Sequence, residues 1–357
     1  MELRHLGESG LVVSAVGLGC NNLGRPGTAA ESLAGSRDLV SAALDAGVTL
    51  FDVADVYGAP RGRSEELLGQ ALVGRRDKAV VATKFGLDMQ GVNGPDFGAR
   101  GSRRYVRRAA ETSLRRLGTD WIDLYQLHRP DPGTPIEETL SALDDLVRDG
   151  LIRYAGVCNL AAWQIADVCW TARTEHVGPV VSAQNQYSLL ERDAEREFIP
   201  ACTRFSVHLL PYFPLANGLL TGKYARGEAP PDGSRLAGRQ RLLADAPWDR
   251  IEKLRAFAGE RDISMTTLAI GWLAAQPVVG SVIAGATSAD QVTANAAAAN
   301  WRPTADDLVA IDGICRVRPS AVGPGAAGTS ATGHSAAGPS AAGHSAAVGV
   351  GPPLNGR

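Results

Sequence analysis

FDVADVYG, residues 51–58, begins with the apolar character of a buried strand and ends in two carboxylates, a tyrosine and a glycine. Strands of a parallel sheet are buried on both faces and are therefore nearly continuous in apolar residues. The apolar run over residues 48–52 predicts such a strand, which Asp52 closes. Polar side chains on the loop after a rigid strand are typical of functional sites. We therefore predict that the carboxyl end of this strand presents Asp52, Asp55 and Tyr57 to a site.

Similar apolar runs recur along the chain and alternate with amphipathic stretches of helical period. Strands are predicted at residues 15–19, 48–52, 79–84, 122–127, 154–158, 180–184, 208–212 and 281–284. Helices are predicted at residues 32–46, 64–73, 102–117, 135–149, 161–171, 195–204, 248–261, 265–275, 289–300 and 304–314. Alternating strands and helices predict a parallel sheet, and eight such units favour closure into a (β/α)8 TIM barrel of the α/β class. Two short segments before the first barrel strand predict an N-terminal β-hairpin.

Two segments depart from this alternation. Residues 213–247 contain glycines and prolines without the pattern of a strand or a long helix, and loops of this length in compact domains are usually functional. From residue 320 onward nearly every residue is Ala, Gly, Ser, Pro or Val, so the segment buries too little apolar surface to offset the entropy of ordering. We predict one barrel domain over residues 1–317, with a binding loop after its seventh strand, and a disordered tail over residues 318–357.

Composition excludes several classes of partner. A formal charge of -2 gives no reason to expect nucleic acid or an anionic membrane surface. No apolar run reaches the ~18 residues of a membrane-spanning helix, and the N-terminus lacks the pattern of a signal peptide. The cysteines are five in number, scattered and without a CxxC pair, which indicates reduced thiols. A cytoplasmic protein is predicted.

The predicted strands end in polar or titratable residues. In a (β/α)8 barrel the carboxyl ends of all strands meet at one mouth, whatever their separation in sequence. The side chains expected there are Asp52, Asp55, Tyr57, Lys84, His128, Asn159, Gln184 and Tyr212. Taken singly, most of them have structural explanations, such as a turn cap, a packing tyrosine or a core histidine. Four such residues at three consecutive strand ends favour a shared catalytic role.

A tyrosine, a lysine, a histidine and an aspartate together form a plausible proton-transfer device. A phenol has an ordinary pKa of about 10, so exchange of its proton near neutral pH asks for a fall of about three units, or ~4 kcal/mol. A neighbouring cation typically contributes one to three units. Lys84 and His128 are therefore expected to lower the pKa of Tyr57, and Asp52 is expected to hold Lys84 as its counter-ion.

Seven motifs in order resemble those of the aldo-keto reductases. They are FDVADVYG, VVATKFG, LHRPD, GVCNL, QNQYSLL, GLLTGKY and IAGATSADQV, and the resemblance covers about residues 2–315. It implies a (β/α)8 barrel that holds NADP(H) across its mouth and reduces a carbonyl substrate. It also implies that Tyr57 is the general acid, with Lys84, Asp52 and His128 as its partners.

The same resemblance implies a set of cofactor-binding residues. Asn159 and Gln184 match residues that bind the nicotinamide carboxamide, and Tyr212 matches the ring that stacks on nicotinamide. The pyrophosphate is expected in the long loop, at Leu215, Asn217, Leu219 and Lys223. The adenosine end is expected at Gly285, Thr287, Gln291 and Asn295.

Two regions of the cofactor site depart from the family's pattern. Cys158 replaces a usual serine beside the nicotinamide. Gly285, Thr287 and Gln291 carry no charge where many members hold the 2'-phosphate, so NADP(H) is favoured by family habit alone and NAD(H) is not excluded. The physiological substrate and the oligomeric state are not encoded in any pattern that we recognise.

Three other functions were weighed. A Rossmann dehydrogenase is disfavoured because Asn22 occupies the third glycine position of GxGxxG in residues 17–24. A metal-dependent hydrolase needs clustered ligands, yet most histidines lie away from the strand ends, so no metal is expected. A nucleotide-binding regulatory barrel with little or no turnover is the remaining alternative, and the complete set of four catalytic candidates argues against it.

Overall fold

The computed structural model describes residues 1–231 and 233–315. The predicted tail, residues 318–357, lies outside the described residues. The strands are β1 Leu3–His5, β2 Val12–Ser14, β3 Val16–Gly19, β4 Leu50–Asp52, β5 Val80–Phe85, β6 Ile122–Leu127, β7 Ile152–Cys158, β8 Val180–Gln184, β9 His208–Leu209 and β10 Val282–Gly285. The α-helices are α1 Leu33–Asp45, α2 Arg63–Ala71, α3 Arg103–Leu117, α4 Ile136–Arg148, α5 Ala162–Thr174, α6 Phe198–Arg204, α7 Gln240–Ala244, α8 Trp248–Gly259, α9 Met265–Ala274, α10 Ala289–Ala298 and α11 Ala305–Cys315.

Eight parallel strands form the barrel and confirm the predicted fold class. Their order is β10-β3-β4-β5-β6-β7-β8-β9. The ring closes between β9 and β10, where the N–H of Leu209 donates to Val278 at 2.8 Å and the N–H of Ile283 donates to Pro211 at 3.0 Å. From β3 to β9, the order of the strands in the sheet is the same as their order in the chain.

The N-terminal hairpin of β1 and β2 confirms the prediction and covers the amino ends of the barrel strands. Leu6, Leu11 and Val13 belong to the same buried cluster as Leu50, Ala82, Leu124, Val181, Leu210 and Ile283 from the strands. Arg4 donates to the carbonyl of Val279 just before β10 at 3.1 Å. This end of the barrel is therefore packed with apolar side chains.

Alternation along the strands separates an inner face from an outer face. Leu50, Ala82 and Leu124 fill the interior, and the positions two residues further along are Asp52, Lys84 and Gln126. Phe51 and Tyr125 lie on the outer faces of β4 and β6 and pack in the larger core between the barrel and its helices. The interior thus changes from apolar to charged as the strands approach the mouth.

The long loop after β9 is confirmed, with short helical pieces inside it. A 3-10 segment spans Ala216–Thr221, and α7 is a five-residue helix. Helix α2 begins at Arg63, one residue before the predicted start at residue 64. Gly62 precedes this helix in a left-handed conformation, and the Ser64 hydroxyl donates to the carbonyl of Cys20 at 2.7 Å.

Candidate active site

A buried ion pair, termed the inner pair, lies at the mouth of the barrel. Lys84 Nζ donates to Asp52 Oδ2 at 2.7 Å and to the carbonyl oxygen of Val53 at 2.9 Å. Lys84 is completely buried, and Asp52 is 3% exposed. Burial alone would lower the pKa of Lys84, but the charge and hydrogen bond of Asp52, together with the nearby Tyr57 and Cys158, raise that pKa overall. The lysine therefore carries a positive charge at the bottom of the mouth.

The second oxygen of Asp52 is also fully engaged. Its Oδ1 accepts from Gln184 Nε2 at 2.8 Å and from Gln126 Nε2 at 3.3 Å. The carboxylate thus receives donors from β5, β6 and β8. Donors to both oxygens fix its orientation, as a buried charge requires.

Tyr57 lies over this pair on the turn after β4. Its ring centroid is 5.1 Å from Lys84 Nζ, and it meets the His128 ring edge-on, with centroids 5.8 Å apart. The turn needs a glycine after the tyrosine, because Gly58 has φ +91° and a Cβ there would approach the Ser64 nitrogen to 2.7 Å. The sequence DVYG therefore aims a phenol at the mouth.

Burial and the lysine act on Tyr57 in opposite directions. Removal from water raises the pKa of Tyr57, Lys84 lowers it, and the net result is a pKa of about 12. The lowering that we expected from the sequence is therefore outweighed by the removal of the half-buried phenol from water. The phenol is protonated at neutral pH, which suits a proton donor.

His128 follows β6 as a buried, neutral imidazole. Burial and the nearby charges of Lys84 and Arg129 hold its pKa well below the ordinary value. Its backbone N–H donates to Phe85 at 2.7 Å, and its Nδ1 has no hydrogen-bond partner among the described residues. Neutrality leaves the ring one donor and one acceptor nitrogen.

Asn159 links β7 to the end of β9. Its Nδ2 donates to the carbonyl of His128 at 2.9 Å, and its Oδ1 accepts from the Tyr212 hydroxyl at 2.8 Å. It has φ +58°, a left-handed conformation that asparagine tolerates better than most residues. The structure therefore brings Asn159, Tyr212 and His128 together. Gln184 donates to Oδ1 of Asp52, the oxygen that does not accept from Lys84.

The predicted pyrophosphate residues share a strained loop. Phe213, Ala216, Asn217, Gly218 and Gly222 all have positive φ within ten residues of chain. The predicted residues there are Leu215, Asn217, Leu219 and Lys223. Lys223 is exposed, with its Nζ 5.2 Å from the centroid of the Tyr224 ring.

The predicted adenosine residues lie at the end of β10 and the start of α10. The N–H and hydroxyl of Thr287 donate to Gln291 Oε1 at 2.9 Å and 3.1 Å. Asn295 Nδ2 donates to the Gly285 carbonyl at 3.4 Å. These four residues thus form two hydrogen-bonded pairs, Thr287 with Gln291 and Asn295 with Gly285.

Sequence reasoning missed Gln126, which lies between the inner pair and Cys158. It is completely buried, and its Oε1 accepts from Cys158 Sγ at 3.7 Å. The signal was present, because a glutamine inside the apolar strand IDLYQL occupies the same face as His128, two residues later.

Sequence reasoning also missed a cluster of arginines beside the long loop. The Arg235 guanidinium lies 5.3 Å from the centroid of the Phe213 ring, and its Nε has no partner among the described residues. Burial lowers the pKa of Arg235, and the neighbouring charges of Arg25 and Arg239 lower it further. In the described part of the chain, none of these three arginines forms an ion pair with a carboxylate. The loop thus carries uncompensated positive charge.

The fold and this site define a (β/α)8 barrel whose mouth contains a phenol over a buried lysine. The sequence profile of the Aldo/keto reductase family matches residues 15–316. The chain therefore belongs to the aldo/keto reductase family.

Individual relatives agree with this assignment. A probable voltage-gated potassium channel subunit beta from Oryza sativa subsp. japonica is 37% identical over 333 residues, covering 89% of this chain and 98% of the relative. L-glyceraldehyde 3-phosphate reductase from Escherichia coli K12 is 34% identical over 313 residues, covering 84% and 88%. Probable aldo-keto reductase 1 from Glycine max is 34% identical over 310 residues, covering 85% and 86%.

Within residues 1–231 and 233–315, no helix combines the length and apolar character required to cross a membrane. Within the same residues, no group of three or more His, Cys, Asp or Glu side chains is arranged to hold a metal ion.

Proposed function

We propose that this protein is an oxidoreductase that reduces small aldehydes or ketones to alcohols with a nicotinamide cofactor. The single observation that carries the proposal is the position of the Tyr57 ring, 5.1 Å from the buried Lys84 ammonium and edge-on to the His128 ring. A group that donates a proton at neutral pH, next to a charge that stabilises the anion left behind, is the equipment of general acid catalysis.

Each side chain has a distinct task in this reaction. Tyr57 donates its proton to the carbonyl oxygen of the substrate. Lys84 stabilises the resulting phenolate, and Asp52 holds Lys84 in place at 2.7 Å. His128 orients the carbonyl oxygen by donating a hydrogen bond from its neutral ring. The cofactor, when bound, supplies the hydride to the carbonyl carbon.

The residues at the mouth fit a nicotinamide cofactor. Amide side chains at Asn159 and Gln184 offer donors and acceptors of the type that a carboxamide needs, and the ring of Tyr212 offers a flat apolar surface. The positive-φ segment after Phe213 presents backbone of the kind that approaches phosphate closely. Leu215, Asn217, Leu219 and Lys223 would hold the pyrophosphate, and Gly285, Thr287, Gln291 and Asn295 the adenosine.

NADP(H) is the cofactor that we favour. The uncharged residues after β10 offer no counter-charge to a 2'-phosphate, but the arginine cluster near Arg235 supplies uncompensated positive charge at the mouth. Arg235→Ala is expected to raise the KM for NADPH about tenfold, equivalent to ~1.4 kcal/mol, and to leave the KM for NADH unchanged. Equal changes for both cofactors would contradict a role toward the 2'-phosphate.

A regulatory barrel with little turnover is the second candidate, since two relatives are named as probable potassium channel beta subunits. The present chain carries the full set of Asp52, Tyr57, Lys84 and His128, which a binding subunit does not need. Sustained turnover of NADPH with any of a panel of aldehydes, ketones and sugar phosphates distinguishes the two candidates.

Tyr57→Phe is the central test of the catalytic assignment. Removal of the hydroxyl is expected to lower kcat by about 10²- to 10⁴-fold and to leave the affinity for NADPH unchanged, because the phenol acts in the chemical step. Tyr154→Phe is a matched control, because its hydroxyl lies near Gly10 of the hairpin at the opposite end of the barrel. Carbonyl reduction at the parent rate by Tyr57→Phe would refute the role of Tyr57.

A further inference from the structure

A second buried polar group lies on the outer side of β4 and β5. It consists of Asp55, Glu65, Asn93 and Arg116, termed the outer cluster. Asp55 and Glu65 are completely inaccessible to solvent, and Asn93 is 2% exposed. The prediction that Asp55 lies at the mouth was wrong, because its carboxyl group is buried against Asn93 in this cluster. None of these residues takes part in the proposed reaction. Burial of two carboxylates is costly, and structures retain such groups when they serve a purpose.

The outer cluster is connected by short hydrogen bonds. Arg116 donates to Glu65 Oε2 at 3.0 Å and to Asn93 Oδ1 at 2.6 Å. Asn93 Nδ2 donates to Asp55 Oδ2 at 2.9 Å, and the Thr83 hydroxyl donates to Glu65 Oε1 at 2.6 Å. The chain of contacts therefore joins the turn after β4, strand β5, helices α2 and α3 and the loop before α3.

The two carboxylates are not equivalent. Both oxygens of Glu65 accept a hydrogen bond, one of them from the Arg116 cation. Asp55 receives hydrogen bonds from neutral groups, the side-chain amide of Asn93 on Oδ2 and the backbone N–H of Val56, and its Oδ1 lacks a hydrogen-bond partner within the residues that the structure describes. One guanidinium cannot balance two buried carboxylates, so the geometry selects Asp55 as the neutral member.

The groups that face Asp55 come from four elements. They are Glu65 from α2, Arg116 and Tyr105 from α3, Tyr125 from β6 and Asn93 from the loop before α3. Burial, reinforced by the charge of Glu65, raises the pKa of Asp55 well above its ordinary value. The Tyr125 hydroxyl is buried without a hydrogen-bond partner in the described residues and offers an acceptor of the kind that a carboxylic acid needs.

The outer cluster contacts the backbone segments that carry Tyr57 and Lys84. Asp55 precedes Tyr57 by two residues on the same turn, and its backbone N–H donates to the carbonyl of Lys84 at 3.4 Å. Thr83, which donates to Glu65, directly precedes Lys84 on β5. Successive residues of a strand point to opposite faces, so a bond on the outer face fixes the inner one.

We propose that Asp55 is a positioning residue in the form of a neutral carboxylic acid, and that the outer cluster sets the placement of Tyr57 over Lys84. This inference rests on the proposed function for its kinetic consequence. The cluster clamps the turn of Tyr57 and the strand of Lys84 from behind, and it touches neither substrate nor cofactor.

The kinetic test begins with the parent protein and NADPH over a panel of carbonyl compounds. Asp55→Ala and Asn93→Ala are expected to lower kcat about 10- to 100-fold, because small displacements of a catalytic group are costly. The Kd for NADPH, followed by fluorescence, is expected to stay within about twofold of the parent value. Asp55→Asn is expected to restore kcat to within about threefold, because an amide reproduces a neutral acid in shape and hydrogen bonding. Asp38→Asn, an exposed carboxylate on α1, is the control.

A stability test does not depend on any activity. The unfolded carboxyl group of Asp55 ionises above about pH 4, whereas the folded group stays protonated, so the parent loses stability as pH rises from there. Asp55→Asn removes this loss. Glu65 is present in both the parent and the variant, so its own contribution to the pH dependence cancels in the difference between their Tm values. The Tm of Asp55→Asn relative to the parent is expected to increase by about 5 °C between pH 5 and pH 7. Asp38→Asn is expected to show the same difference at both pH values.

The outcomes separate the two proposals. Absence of turnover by the parent would refute the proposed function and leave the pH test of Asp55 decisive. An active parent with an equally active Asn93→Ala would overturn the positioning role. A Tm difference for Asp55→Asn that is constant or decreases with pH would overturn the neutral acid. Should Asp55→Ala not fold, Asn93→Ala and Asp55→Asn still decide.

Discussion

The two faces of β4 and β5 bury carboxylates in opposite ways. On the inner face, one carboxylate meets one cation, and Asp52 and Lys84 are 2.7 Å apart with every oxygen engaged. On the outer face, two carboxylates share the single cation Arg116, and one oxygen of Asp55 has no partner among the described residues. The comparison teaches that the number of available cations, more than the depth of burial, decides whether a buried carboxylate keeps its charge.

The difference also suits the two tasks. The proposed reaction needs a charged lysine to stabilise the phenolate, and the inner face holds Lys84 completely out of water. The outer face needs only to hold the turn and the strand still, and a neutral acid does so without the cost of a second unbalanced charge. Function and framework therefore occupy opposite faces of the same two strands.

Removal of the inner cation is expected to have the largest effect. Lys84→Met leaves Asp52 as an uncompensated buried charge and is expected to lower the free energy of unfolding by about 3–5 kcal/mol. The double variant Lys84→Met with Asp52→Asn is expected to recover most of this loss, because no charge is left unpaired. Urea unfolding of the parent and the two variants measures both values. A double variant as unstable as Lys84→Met would show that lost packing, and not lost charge balance, is responsible.

The pH dependence of carbonyl reduction tests which influence dominates Tyr57. With a pKa of about 12, the phenol keeps its proton, and kcat/KM is expected to be flat between pH 7 and pH 9. Neither Lys84, with its raised pKa, nor neutral His128 titrates in that interval. A tenfold fall per pH unit above pH 7 would instead mean that Lys84 outweighs burial once the cofactor is bound.

A smaller effect is expected from the bond behind Lys84. Thr83→Val removes the hydroxyl that donates to Glu65 at 2.6 Å and leaves a buried acceptor unsatisfied. We expect a loss of about 1–3 kcal/mol in the free energy of unfolding, together with a lower kcat. Thr293→Val in α10 is the control, since its hydroxyl is exposed and bonds only within its own helix. Loss of stability without any change in kcat would separate the outer face from catalysis.

The smallest effect is expected at Cys158. Its thiol donates weakly to Gln126 at 3.7 Å, and burial raises its pKa, so it stays a neutral thiol at neutral pH. Cys158→Ser introduces a stronger donor at the same position and is expected to stabilise the protein by less than about 1 kcal/mol, with kcat within about threefold of the parent. Thermal unfolding and steady-state kinetics measure both. A large change in kcat would place the thiol in contact with the reacting groups.

The apolar periodicity of the sequence was sufficient to predict the barrel, and the polar residues at the strand ends were sufficient to predict which side chains meet at its mouth. Every predicted barrel strand is present, because parallel strands buried on both faces leave an apolar signature that loops lack. The proximity of Asp52, Lys84, Tyr57 and His128 followed from topology alone, since strand ends converge whatever their spacing.

Other features were hidden for physical reasons. The direction of the Tyr57 pKa depends on how completely the phenol is removed from water, which no local pattern encodes. The helix start at Arg63 in place of Ser64 depends on a bond from Ser64 to Cys20, distant in the chain. The Arg235 cluster arises in a loop without periodicity, where residue type predicts nothing about neighbours.

The N-terminal hairpin covers one end of the barrel and leaves the mouth as the open end. Leu6, Leu11 and Val13 pack against the apolar side chains that fill the amino end of the barrel. The family profile begins at residue 15, directly after this hairpin. Fusions or truncations that disturb the first fourteen residues would therefore expose the apolar side chains at this end of the barrel. We expect such variants to aggregate before the catalytic geometry is lost.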